Sequence, residues 1–312
     1  MKSVRLHLLV LALLPLVVLI PTLLTFGMAR WTASFNALLI TNVASDLRIA
    51  EQYLQRIMAQ GSSDIQAIAG SVSFAQARKK PAVLERYLDE QRQRLGWDFL
   101  YHLTNIQSKD AAAQWPVIAT AAAGGSQTSI DIFHAEDLNA RSATLARQAS
   151  LPLIATEAAV PTQRSSEDRG MVVHSATAIK TQQHAGVLVG GTLLNRNLNF
   201  IDTINALVYR AKGSDRQGTA TLFLEDVRIS TNVRLFEDVR ALGTRVSAAV
   251  RSRVLDDGLT WLDRAFVVND WYISGYQPIT DSFGNRVGML YVGFLEAPYR
   301  ATIHSAYVIS FG

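Results

Sequence analysis

The chain has 312 residues, a formal net charge of +4, a pI near 9.4, 49% apolar residues and no cysteine. That apolar share excludes a disordered chain, and the missing thiols exclude disulfide frameworks, thiolate zinc sites and cysteine nucleophiles. Lys and Arg are scattered among acids, so the charge pattern points away from nucleic acid as a partner.

In chain order, "MKSVRLH" precedes "LLVLALLPLVVLIPTLLTFGM", a charge-free run from Leu8 to Met28. At about 1.5 Å per residue it extends roughly 30 Å, one bilayer crossing, and the kinks of Pro15 and Pro21 are tolerable in a membrane helix. Gly27 and Ala29 resemble a signal-peptide cleavage site, but the run exceeds an h-region of roughly 7 to 15 residues, so a retained anchor is expected. Lys2 and Arg5 ahead of the span against Arg30 behind it place the N-terminus inside the cell and the chain beyond the span outside. Residues 1–30 are therefore read as a cytoplasmic tip and a transmembrane helix.

Residues 31–95 are read as a long helical region. Ile40, Val43, Leu47, Ala50, Leu54 and Ile57 recur at spacings of three and four. The seam breaks at Gly61-Ser62-Ser63, and helical patterning resumes with Ile65 and Ile68, then with Leu84, Tyr87, Leu88 and Leu95 after Pro81. It serves either the chain's own sheet or a coiled coil between two copies in a homodimer.

Residues 96–211 show β-like runs, "WDFLYHL", "WPVIATA", "ATEAAV", "GMVVHSATAI" and "GVLVGGTLL", with a polar helical stretch from Ala135 to Gln148 and an amphipathic one in "NLNFIDTINALVYRA". "KGSDRQG", from Lys212 to Gly218, is the best linker. The pattern then restarts over residues 212–296: "TATLFLEDV" and "RISTNV" as a hairpin, "SAAVRSRVLDDG" as a helix ended by Gly258, and three strands in "WLDRAFVVNDWYISGYQPITDSFGNRVGMLYVGF". Residues 297–312 read as the start of a second membrane span, cut short at Gly312.

The sequence lacks the motifs of zinc proteases, serine hydrolases, Walker sites and Rossmann folds, and its six histidines show no i,i+3 or i,i+4 pairing. His174 and Ser175 with Asp168 do not make a triad, because adjacent strand residues face opposite ways. Asp256-Asp257 before Gly258 reads as a solvated turn. No cofactor is implied.

What remains suits binding. Tyr272, Ser274 and Tyr276 share one strand face, and Arg264 shares a face with Leu262 and Phe266 on the strand before. If the two faces coincide, Arg264, Tyr272 and Tyr276, with Arg228 on the "RISTNV" strand, line a pocket for a small carboxylate. Tyr101, Arg169 and His174 make a weaker set in the first unit, with Asp168 placed to pair with Arg169. Spacing alone favours the reading of these residues as sheet core, with Arg264 snorkelling or paired with an acid.

The stretches "GTATLFLEDVRISTNV", "GTRVSAAVRSRVL" and "AFVVNDWYISGYQPITDSFGNRVGMLYVGF" resemble the membrane-proximal half of a bacterial double Cache sensor domain. "EDRGMVVHSATAI" and "GVLVGGTLLNRNLNFIDTINALVY" are similar to the distal half of its Cache 3/Cache 2 fusion type. The resemblance implies an α+β fold: two PAS-like antiparallel units, distal and proximal, on one long helix, held in the inner membrane with the sensor region periplasmic or extracellular. It implies the small-molecule input module of a sensor histidine kinase or chemoreceptor, with no catalytic residues in this chain. The Arg-aromatic pair of the amino-acid-binding branch has no clean copy here. The rival readings are a membrane-anchored docking module without a ligand and a tethered periplasmic enzyme.

Overall fold

The computed structural model describes residues 2–179, 186–209, 218–236 and 239–311, so the linker over 212–217 lies outside the described residues. Helix α1 (Lys2–Ala69) runs unbroken through Pro15, Pro21 and the Gly61-Ser62-Ser63 stretch where the seam was expected to break. Gly61 is buried there, and a Cβ at that position would lie 3.1 Å from Ser175 Oγ, so the glycine lets the helix approach the sheet. The N-terminal part of α1 is the one helical stretch among the described residues that is long and apolar enough to cross a membrane, and its large side chains from Leu13 to Phe26 stand exposed.

After α1 come α2 (Val72–Ala77) and α3 (Pro81–Leu95), the latter opened by Pro81 and closed by left-handed Gly96. The distal unit continues as β1 (Phe99–Thr104), α4 (Asn105–Ala112), α5 (Pro116–Ala122), β2 (Ser126–Phe133), α6 (Ala135–Arg141), α7 (Ala143–Ala149), β3 (Leu151–Pro152), β4 (Ser166–Glu167), β5 (Gly170–Ala178) and β6 (Gly186–Leu193). Its main sheet is antiparallel in the order β1-β6-β5-β2. Two expected strands are absent. "WPVIATA" is helix α5, because Pro116 at the first helical position fixes φ for a helix and buries Val117, Ile118 and Ala121 on one side. "ATEAAV" is irregular chain over 155–160, bonded to the other unit.

Helix α8 (Leu198–Tyr209) leads to β7 (Gly218–Leu224), β8 (Val227–Thr231), β9 (Arg234–Phe236), β10 (Val239–Arg240), α9 (Ala248–Arg251) with a π-helical turn over Ser252–Asp256, β11 (Trp261–Val267), β12 (Asp270–Thr280), β13 (Arg286–Leu295) and α10 (Ala297–Phe311). The proximal sheet is antiparallel, β11-β12-β13-β7-β8. The sequence boundary at 211 groups α8 with the distal unit, but α8 packs on the proximal sheet, where Tyr209 Oη donates to Gly293 O at 3.0 Å.

Both sheets lay one face on α1. Val43, Leu47, Ala50 and Leu54 are buried in a core shared with Ile130, Met171 and Val173 of the distal sheet and Leu222, Leu290 and Ile273 of the proximal one. Of the two readings of the seam, packing on the chain's own sheets is the one the structure shows, and the opposite face of α1 presents Thr41, Ser45, Arg48, Gln52 and Gln55 to solvent.

Candidate functional site: a cavity in the proximal unit

The strand register decides which side chains meet. On the proximal face turned away from α1, Arg228 pairs with Phe223, Phe223 with Met289, Tyr291 with Tyr276, and Tyr272 with Ala265. Arg264 pairs instead with Ile273, which packs toward α1. The expectation that Arg264 and Tyr272 share a face is therefore corrected: they sit on opposite faces. Arg264 lies outside the cavity, over the Trp271 ring at 4.2 Å and bonded to Glu296 at 2.9 Å.

A cavity of about 460 Å³ opens on the Tyr276 face. Arg228 and Tyr276 line it, together with Thr244, Val246, Ser247 and the hairpin residues Val267, Val268 and Asn269; Tyr272 does not. Arg228 is 2% exposed, lies over the Phe223 ring at 4.9 Å and donates from Nη1 to Thr244 Oγ1, while its Nε has no partner. Among the described residues no carboxylate pairs with it. Burial lowers its pKa from the ordinary arginine value, against a smaller opposing pull from Tyr276, Tyr291 and Tyr272. Around it, burial also pushes up the phenols of Tyr276 and Tyr291, so these hydroxyls stay neutral donors. Tyr276 and Tyr291 lie 4.6 Å apart, and Tyr291 Oη is 3.0 Å from Thr219 Oγ1.

The neighbouring cation is already neutralised. Arg245 is bonded to buried Asp226 at 2.6 Å. Its other partners form the cavity roof: Arg245 also donates to Val160 O and its N–H to Thr156 Oγ1. The roof is the strap of residues 153–160 from the distal unit, of which Ile154 to Ala158 line the cavity. It is pinned by Ile154 N to Gly243 O at 2.9 Å and Ala248 N to Ala158 O at 2.8 Å. Gly243 is required beneath it, because φ is +79° and a Cβ would meet Pro152 O. Thr244, Arg245, Tyr291 and the strap were missed by the sequence reading. Tyr291 carried the signal of strand alternation; the strap carried none.

The distal residues are not brought together. Tyr101 lines an open groove of about 990 Å³ between α3 and Arg141, under whose guanidinium its ring lies at 3.9 Å, and burial pushes its phenol up to about 12. Arg169 instead joins the units, bonding Glu167 at 2.8 Å and Glu225 at 2.9 Å, while Asp168, expected to pair with it, accepts from Ser150 and Ser166. His174 is fully buried, its Nδ1 2.8 Å from Asp131 and its ring set edgewise among Phe99, Trp115 and Phe133. Asp131 in turn accepts from Ser282 in the proximal β12–β13 turn, at 2.5 Å from its hydroxyl. These side chains fill the face of the distal sheet turned away from α1, with Val117, Ile118 and Leu138.

The chain is thus an α+β fold of two antiparallel PAS-like units stacked on one long helix, with a lined cavity in the proximal unit and an apolar N-terminal run. Residues 192–306, which hold the proximal unit, match the family model of single Cache domain 3. No curated protein matches the chain in sequence. Among solved structures, the periplasmic domain of Vibrio cholerae LuxQ is similar at 12% identity with a TM-score of 0.44, covering 81% of this chain and 98% of that one. The sensor domain of the V. cholerae histidine kinase DctB is similar at 12% identity and 0.41 (84% and 98% covered). The periplasmic sensory domain of the Campylobacter jejuni chemoreceptor Tlp1 is similar at 9% and 0.40 (85% and 95% covered).

Proposed function

We propose that this chain is the extracytoplasmic input module of a membrane-bound receptor, most simply a sensor histidine kinase, anchored by Leu8–Met28 in the inner membrane. In this reading it binds a small organic anion in the proximal cavity and performs no catalysis itself. The observation that carries the reading is Arg228: a buried guanidinium with no carboxylate partner among the described residues, at the wall of a cavity large enough for a metabolite. A bound carboxylate supplies the missing charge and accepts from the guanidinium and from Tyr276.

The chain order supplies a route for the signal. β13 pairs with the cavity-lining strand β12 through Tyr291 and Tyr276 and runs into α10 through Glu296, whose N–H donates to Trp271 O at 2.9 Å. A ligand that binds one arrangement of β12 and β13 better shifts the population toward it, and α10 moves with the strand end. A second reading, in which the distal unit docks a partner protein, is favoured by the side chains that fill its sheet face.

The test is a thermal-shift screen of the full chain in nanodiscs against mono- and dicarboxylates, amino acids and purines, because a ligand that binds only the native state raises its stability. An organic acid that shifts the wild type and not Arg228→Gln supports the proximal site. A shift retained in Arg228→Gln overturns it, and silence across the screen favours the docking reading.

A further inference from the structure

The end of the proximal unit nearest α10 carries aromatic side chains that no core absorbs. β11 and β12 turn at Val268 and Asn269, and their register sets Phe266 opposite Trp271. Phe266 is 53% and Trp271 44% exposed, with ring centroids 5.6 Å apart and edge to face. Asn269 Nδ2 donates to Leu235 O at 2.7 Å, which brings β9 and Phe236, 72% exposed, to the same end.

Bonds to the start of α10 fix where this patch lies. Glu296 joins Trp271 through its N–H and Arg264 through its carboxylate, each at 2.9 Å. Tyr272 pairs with Leu295, the last residue of β13, so the hairpin from Phe266 to Trp271 overhangs the strand on the side where α10 departs. α10 then meets α1 through Tyr299 and Phe35 at 6.3 Å, and Phe35 stacks on Trp31 at 5.3 Å, just past the apolar run. Phe35 stands roughly 10 Å along the helix from Met28, and the overhang returns roughly 7 to 10 Å, which brings it to a headgroup layer extending roughly 5 to 8 Å beyond the hydrocarbon.

We propose that this overhang docks on the headgroup layer of the bilayer that α1 crosses, with Phe266, Trp271 and Phe236 inserted and Arg264 at phosphate level. The inference rests on the anchoring reading above. Trp with its indole N–H, Phe rings that bury apolar area and arginines with apolar stems are side chains that gain at a membrane interface, and they lose when displayed together to water. Because Phe266, Val267, Val268 and Asn269 also line the cavity, the bilayer then supports one of its walls.

A chain without cysteine permits clean single-site labelling. Spin labels at Phe266→Cys and Trp271→Cys are compared, in phosphatidylethanolamine/phosphatidylglycerol nanodiscs, with labels at Phe26→Cys in the apolar run and Asn139→Cys on exposed α6. Power saturation reads collisions with oxygen and with a water-soluble nickel chelate. Docking gives an oxygen-to-nickel ratio at 266 and 271 several-fold above that at 139 and below that at 26. Nickel access equal to that at 139 overturns it, as does shielding from both reagents, the mark of a protein partner or a second copy. Nickel access at 26 overturns the anchoring reading, and this inference with it.

Discussion

Arg228 is carried into the interior by its neighbours in β8, since Val227, Ile229, Ser230 and Thr231 are all buried and the strand leaves its guanidinium only the cavity to face. Replacing it with a methionine of similar length removes an uncompensated charge, so Arg228→Met is expected to melt at or above the wild-type temperature in the absence of ligand. The same change removes a charge-assisted hydrogen bond worth about 2 kcal/mol, so affinity for an organic acid should fall roughly 30-fold by calorimetry. A lower Tm with unchanged affinity would assign Arg228 a purely structural role. Glu167 gives a pH prediction. Burial acts to raise its carboxyl, but hydrogen bonds and charge from Arg169, with Arg164 behind, hold it on balance below the ordinary 4.5. A depressed folded-state value stabilises fully above the unfolded value and is lost as pH falls through the folded one. Thermal unfolding followed from about pH 6 down to about pH 3 should therefore decline less steeply in Glu167→Gln than in the wild type. Parallel curves would show that the Glu167 cluster contributes nothing.

Among the elements, the strap of residues 153–160 does the work that a β-strand was expected to do, and it does so across units rather than within one. Its seat is Gly243. Gly243→Ala places a Cβ against Pro152 O in a left-handed conformation, and the strap must lift or the loop must shift. A loss of about 1 to 3 kcal/mol in denaturant unfolding is expected, together with faster proteolysis between Leu153 and Ser165. Faster cleavage with ligand affinity intact would separate the roof's structural role from any part in recognition. The alternation of "WYISGYQ" was legible as a strand, but which face met which depended on pairing: Arg264 falls opposite Ile273 rather than beside Tyr272. A shift of one residue in that register would have put Arg264 on the cavity face.

At the scale of the molecule, the two units share more than a helix. The core against α1 is continuous from Ile130 and Val173 to Leu290 and Ile273, and Asp131–Ser282, Arg169–Glu225 and the strap bond the units to each other. Domains joined only by linkers unfold separately; units that share a core and buried hydrogen bonds unfold together. Calorimetry of the chain in nanodiscs should therefore show one cooperative transition with matching calorimetric and van't Hoff enthalpies. Two resolved transitions would mean that the shared core is too weak to couple them.

The sequence by itself determined what depends on local chemistry: the apolar run of α1, the helical seam, the α+β class, the two-unit order and the hairpin strands of the proximal unit, since period and turn residues are written along the chain. Only the tertiary structure decided that the seam packs on the chain's own sheets, that "WPVIATA" is a helix, that Arg169 and His174 link and fill rather than line a pocket, and that Arg228, not Arg264, is the buried cation at the cavity. Those outcomes depend on strand register and on groups far apart in sequence. A guanidinium's partners are set by what the fold brings beside it, and the strap that roofs Arg228 lies about seventy residues upstream, where no local pattern announces it.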